Sequence, residues 1–104
     1  MATAHRMKFS SKLKEFVTPE NVHFQPPPTV KLKYPCIIYN RMPAHKNFAN
    51  NKKFLNKPLW RVQVIDKNPD STIGEDIDNH FMYSKIISLD TIDNLLHTTL
   101  EIYF

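Results

Sequence analysis

The run LLHTTLEIYF, residues 95–104, alternates with a period of two: Leu96, Thr98, Leu100, Ile102 and Phe104 fall on one side of an extended backbone, and Leu95, His97, Thr99, Glu101 and Tyr103 on the other. A helix needs apolar residues every three or four positions, so this segment is a strand, and the chain must build a sheet to receive it. Trp60, Val62 and Val64 alternate in the same way with Arg61 and Gln63, predicting a half-buried strand that finishes near Asp66. YPCIIYNR, residues 34–41, is apolar on both alternating sides, which suits a central strand covered on both faces. Pro35 has no N–H to give to a ladder, so it belongs at the first strand position or at a bulge. Phe81, Met82, Tyr83 and Ile86 suggest a further strand running to Ser88, with a less regular pattern.

Around these strands the punctuation is helical. Phe9, Leu13, Phe16 and Val17 are spaced i, i+4, i+7 and i+8 with Lys8, Lys12, Lys14 and Glu15 between them, as a short amphipathic helix requires, and Pro19 ends it. Residues 1–20 are thus read as an N-terminal helical segment. A proline-rich arm follows over 21–33: VHF is a short extended piece, and Gln25, Pro26, Pro27 and Pro28 hold the chain near polyproline geometry. The arm serves either as a linker from helix to sheet or as a contact laid on a neighbouring subunit. Further on, Lys67, Asn68, Pro69 and Asp70 are turn chemistry, and Thr72 with Glu75 three residues later resembles a capping box that starts a helix over about 72–79. The sum is a small single domain of the α+β class, mainly antiparallel or mixed in its sheet, with both helices packed on one side.

At 104 residues there is room for one modest core, and an apolar fraction of 41% is enough to fill it. Cys36 is the single cysteine, so no intrachain disulfide is possible and nothing argues for an oxidising compartment. No apolar run approaches the ~20 residues that cross a bilayer, and MATAHRMKFSSKLKEF lacks the apolar core of a signal peptide, so a soluble, unexported chain is expected. Charge is divided unevenly: residues 1–58 hold eleven Lys and Arg against two acids, and residues 59–104 hold three against eight. Such a split suits head-to-tail packing of identical copies, unless both halves interleave in one sheet and the charges mix.

The acids around Pro69 raise the question of an ion site. Asp66, Asn68 and Asp70 occupy the first, third and fifth places of a calcium loop, but Ser71 stands where its glycine should be and Ile77 where its bidentate carboxylate should be. Turn and helix-start chemistry explains the same residues, so no metal is expected. His5, His23, His45, His80 and His97 are scattered without zinc spacing, Cys36 sits in the most apolar strand, and no serine has a nucleophile-elbow context. Catalysis has no support, no cofactor is implied, and one glycine, Gly74, rules out glycine-rich phosphate loops. The long basic loop over 42–58 is the better candidate. Arg41, His45, Lys46, Lys52, Lys53 and Lys57 stand there beside Phe48 and Phe54 with no acid between, a set that could meet phosphates and bases, or a protein partner.

Four segments in order, VHFQPP, YPCIIY, VQVIDKNPDS and DNLLHTTLEIYF, resemble a family of small bacteriophage virion proteins of the neck, the tail terminator or tail completion proteins of long-tailed phages. The likeness covers most of residues 22–104. It implies a structural subunit of a homohexameric ring that caps the tail tube and joins it to head-completion or neck proteins, with genomic DNA passing through the lumen without sequence specificity. Such a protein is made in the host cytoplasm, resides in the virion and needs neither active site nor membrane. Residues 41–58 would then touch a neighbouring ring or line the channel, and the helix with residues 25–28 would pack on an adjacent subunit. A head-side neck adaptor and a small nucleic-acid-binding module are the alternatives.

Overall fold

The computed structural model describes residues 2–43 and 57–104, with side chains from Ala4 onward. Helix α1 spans Ala2–Leu13, and a 3-10 turn at Pro19–Asn21 leads into β1, Val22–Phe24. Then come β2 (Cys36–Met42), β3 (Leu59–Asp66), α2 (Ile73–His80), β4 (Ser84–Ile92) and β5 (Leu95–Tyr103). The strands form one sheet in the order β1-β2-β3-β5-β4, with β1 parallel to β2 and every other pairing antiparallel. This is the α+β arrangement that the alternating strands and two helical segments predict.

Register explains where the core sits. Tyr39, Val62, Leu100 and Ile86 lie in one cross-strand row, and Ile37, Val64, Thr98 and Leu89 in another. Both rows point to the same face, because side chains two residues apart in a strand share a side. Phe9 and Leu13 of α1 and Ile77 of α2, with Phe81 just beyond it, close over that face and join its residues in a single buried cluster. The centre is aromatic: the Phe9 ring lies 5.1 Å from Trp60, 5.2 Å from Phe104 and 5.5 Å from both Tyr39 and Phe81. On the opposite face, Asn40, Arg61, Glu101 and Lys85 form a row in which the buried Glu101 has a cation on either side in register. Cross-strand neighbours of opposite charge support that register.

The one glycine has a packing reason. A Cβ on Gly74 would stand 2.4 Å from Thr98 Cγ2, so only glycine lets the first turn of α2 seat directly on β5. At the other end of β5, Asp93 and Asn94 take φ of 53° and 63°, two consecutive left-handed residues that make the tight turn of the β4–β5 hairpin.

Three expectations are corrected. The N-terminal helix ends at Leu13, well before Pro19: after Lys14 N–H bonds Ser10 O at 3.0 Å, Glu15 and Phe16 close tighter i−3 turns on Lys12 O and Leu13 O. Phe16 and Val17 still pack against the core, from the turn rather than from a helical stripe. The strand expected to stop at Ser88 continues to Ile92, and its pattern is irregular because Ile87 is an extra residue in the ladder, which shifts the alternation by one. The capping box does not form. Thr72 has φ −108° and ψ 9° instead of an extended N-cap conformation, and its hydroxyl donates to Asp76 Oδ2 at 3.3 Å.

Candidate functional site

The functional candidates nearest the sheet are the two ends of the basic loop. Arg41 lies one residue before the end of β2, in register with Trp60, and Lys57 lies just before β3, so both stand at the end of the sheet where β5 also finishes. There Phe104 N–H bonds Pro58 O at 3.1 Å and His5 Nε2 donates to the Phe104 carbonyl, which ties α1 to the same end. Each cation sits over a ring: Arg41 Cζ is 5.6 Å from the Trp60 centroid, Lys57 Nζ 5.9 Å from Tyr83, and Lys12 Nζ 6.0 Å from Phe104. These are at the outer reach of cation–π attraction, which orients the heads without neutralising them.

Beside Lys12 and Lys57 opens a cleft of about 290 Å³ lined by these two cations, His80, Met82 and the rings of Phe81, Tyr83, Tyr103 and Phe104, with no acidic side chain among its described lining; Arg41 and Trp60 are not part of it. Positive heads over flat aromatic surfaces match a polyanion carrying bases, or the acidic rim of a protein partner. Sequence reasoning finds Arg41 and Lys57 from the composition of the loop. It misses Lys12, His80, Tyr83 and Tyr103, which come from α1, α2, the turn before β4 and β5, and no local spacing signals their meeting. His45, Lys46, Phe48, Lys52, Lys53 and Phe54 lie outside the described residues.

The arm is placed as well. Gln25 adopts φ 45° and its N–H bonds Tyr39 O at 3.1 Å, turning the chain away from β1, while Val30 N–H closes a turn on Pro27 O. Gln25, Pro27 and Pro28 are exposed and Pro26 is half-buried.

The acids around Pro69 are occupied with the backbone. Asp66 Oδ1 accepts the Asn68 N–H at 3.1 Å and Asn68 Oδ1 accepts the Asp70 N–H at 3.0 Å, two successive side-chain turns leading into α2. Among the described residues no group of three or more His, Cys, Asp or Glu is placed to hold a metal ion.

Cys36 is fully buried at the start of β2. Burial first, and the Asp66 charge second, push its thiol from the ordinary 9.0 up to about 11. Below the lower value the thiol is protonated in both folded and unfolded chains. Between the two values the unfolded thiol ionises while the folded one keeps its proton, so stability should fall as pH rises through that window. Denaturant unfolding at about pH 8.5 and about pH 10.5 checks this: the wild type should lose more stability across the interval than Cys36→Ala.

Neither a protein-family model, nor a curated protein, nor a solved structure matches this chain.

Proposed function

We propose that this protein is a structural assembly subunit of a bacteriophage neck, a tail-terminator-like member of a ring that caps the tail tube and lets DNA pass through its lumen. The observation that carries this reading is the division of charge across the helix layer. α1 holds Arg6, Lys8 and Lys12 with no acid, whereas α2 holds Glu75, Asp76 and Asp78. Copies with unlike ends join head to tail, and such heterologous contacts close into a ring when the rotation between copies permits. The ordered resemblance of four segments to tail terminator proteins supports the same role, and the cleft, with no acidic side chain in its described lining, supplies a surface suited to passing phosphates. Within a ring, the exposed prolines of the arm are available to a neighbouring subunit, and the tail tube and a head-completion or neck protein are the axial partners.

The DNA-facing part is tested by binding to short duplexes over a salt series. Each phosphate contact contributes about 0.9 to the slope of log affinity against log salt, so Lys12→Ala with Lys57→Ala should flatten the slope by nearly two, with no preference among sequences. An unchanged slope would remove the cleft from the DNA path.

A second reading is favoured by the three cations poised over rings: a small nucleic-acid-binding module acting as a monomer. It predicts tighter binding to single strands, whose unstacked bases can lie on the aromatic faces, and no dependence of affinity on self-assembly.

A further inference from the structure

The helix layer stops short of the outer strand. α2 seats on β5 through Gly74 and Thr98, and beyond it Ile86 and Leu89, in register with Leu100 and Thr98 on the helix-covered face, are 37% and 55% exposed. β4 carries four of the six large apolar side chains exposed among the described residues; Ile87 is the bulge residue and Ile92 pairs with Leu95 on the other face, so the shelf on the helix-covered face is Ile86 and Leu89. Its outer edge has no strand partner among those residues. This apolar shelf has an acidic wall. Asp78 faces β4, its Oδ1 accepting the Ser84 hydroxyl at 2.7 Å, and the exposed Glu75 lies one turn earlier on the same flank of α2.

The same molecule carries a surface of complementary form. Ala4, Met7, Lys8 and Ser11 of α1 are exposed and recur at three- and four-residue intervals, and the exposed Lys14, whose N–H bonds Ser10 O just past the helix end, continues them into one outward stripe. The stripe is short-chained at Ala4 and Ser11, apolar at Met7, which is 51% exposed, and basic at Lys8 and Lys14. Twelve helical residues span about 18 Å and nine strand residues about 30 Å, so the helix fits along the shelf.

We propose that the β4 shelf is the docking surface for α1 of a second copy of this chain. Met7 and the lysine stems cover Ile86 and Leu89, while Lys8 and Lys14 meet Glu75 and Asp78. Donor and acceptor surfaces differ, so the contact is heterologous and every copy carries one of each. Only the closure of such a chain of copies into a ring rests on the neck reading; the contact itself does not.

Sedimentation at low salt with paired variants tests the contact. The wild type should self-associate, whereas Leu89→Asp and the double variant Lys8→Glu, Lys14→Glu should each weaken association by more than about tenfold. Mixing the two variants should yield a species of two copies and nothing larger, because each retains one intact surface. Glu75→Lys, on an exposed helical position, should restore self-association when built into the same chain as Lys8→Glu and Lys14→Glu, and this rescue keeps the test in hand if Leu89→Asp misfolds by circular dichroism. Self-association of the α1 double variant at wild-type strength would show a β4-to-β4 contact and overturn the proposal. Wild-type assembly by Leu89→Asp would also overturn it while leaving a ring built on another surface intact. A wild type that stays monomeric at low salt would overturn it outright.

Discussion

Replacing Phe9 by alanine should destabilise the protein by about 3–5 kcal/mol, measured by denaturant unfolding. Phe9 is fully buried and its ring lies within 5.5 Å of four other aromatic rings, drawn from β2, β3, the C-cap of α2 and the chain beyond β5. Truncation leaves a cavity that none of the neighbouring rings can fill without leaving its own rotamer. Aromatic pairs add about 0.5–1.5 kcal/mol each beyond the area they bury, so the loss belongs at the upper end of that range. A domain of this size is stable by only about 5–15 kcal/mol, and the variant should therefore populate the unfolded state at temperatures the wild type withstands. Met7→Ala, two positions away and exposed, is the control and should change stability by less than about 0.5 kcal/mol.

Ile77→Ala should cost about 2–5 kcal/mol, and the loss should be concentrated in α2. This helix of eight residues is too short to persist alone and is held by two buried positions, Gly74 and Ile77, with Phe81 at its C-cap. Removing the Ile77 side chain leaves the helix held by the Gly74 contact, the half-buried Ile73, the Phe81 ring, the Phe16–His80 ring contact and the Asp78–Ser84 hydrogen bonds. Hydrogen exchange reads the consequence: amides of α2 should lose protection by a larger factor than those of β3 and β5, which open only with the whole domain. Equal loss in all three elements would show that α2 is bound to the sheet by more than these positions.

The sheet was legible in sequence wherever alternation was uninterrupted. β3 and β5 carry clean period-two patterns, and the doubly apolar YPCIIYNR is an interior strand flanked by β1 and β3. α2 was legible from turn chemistry, although its Thr72 spends its hydroxyl on Asp76 instead of a backbone cap. β4 was legible only in part, because the extra residue at Ile87 breaks the period on which the reading depends. The boundary of α1 was obscured by Phe16 and Val17, which keep helical spacing yet reach the core from a tighter turn. The parallel pairing of the three-residue β1 is a tertiary fact with no local signal. For the site, Arg41 and Lys57 stood out by composition, but the cleft joins Lys12 to Phe104 across nearly the whole chain, and only the fold brings them together.

The proposed structural role and the fold are connected through the borders of the sheet. The aromatic core holds α1 and α2 against the same face of the sheet, which fixes where positive and negative charge emerge. The basic cleft at one end of the strands and the apolar shelf along β4 are then surfaces set by the core, and on the proposed reading they are the ones offered to DNA and to neighbouring copies.

Electron microscopy of the purified full chain at low salt, with mass measured on the same sample, tests the assembly role most directly. A ring subunit should give a discrete closed species of fixed copy number, six on the resemblance to tail terminator proteins, with an open centre. Monomers alone at every concentration, and still in the presence of tail tubes, would contradict it.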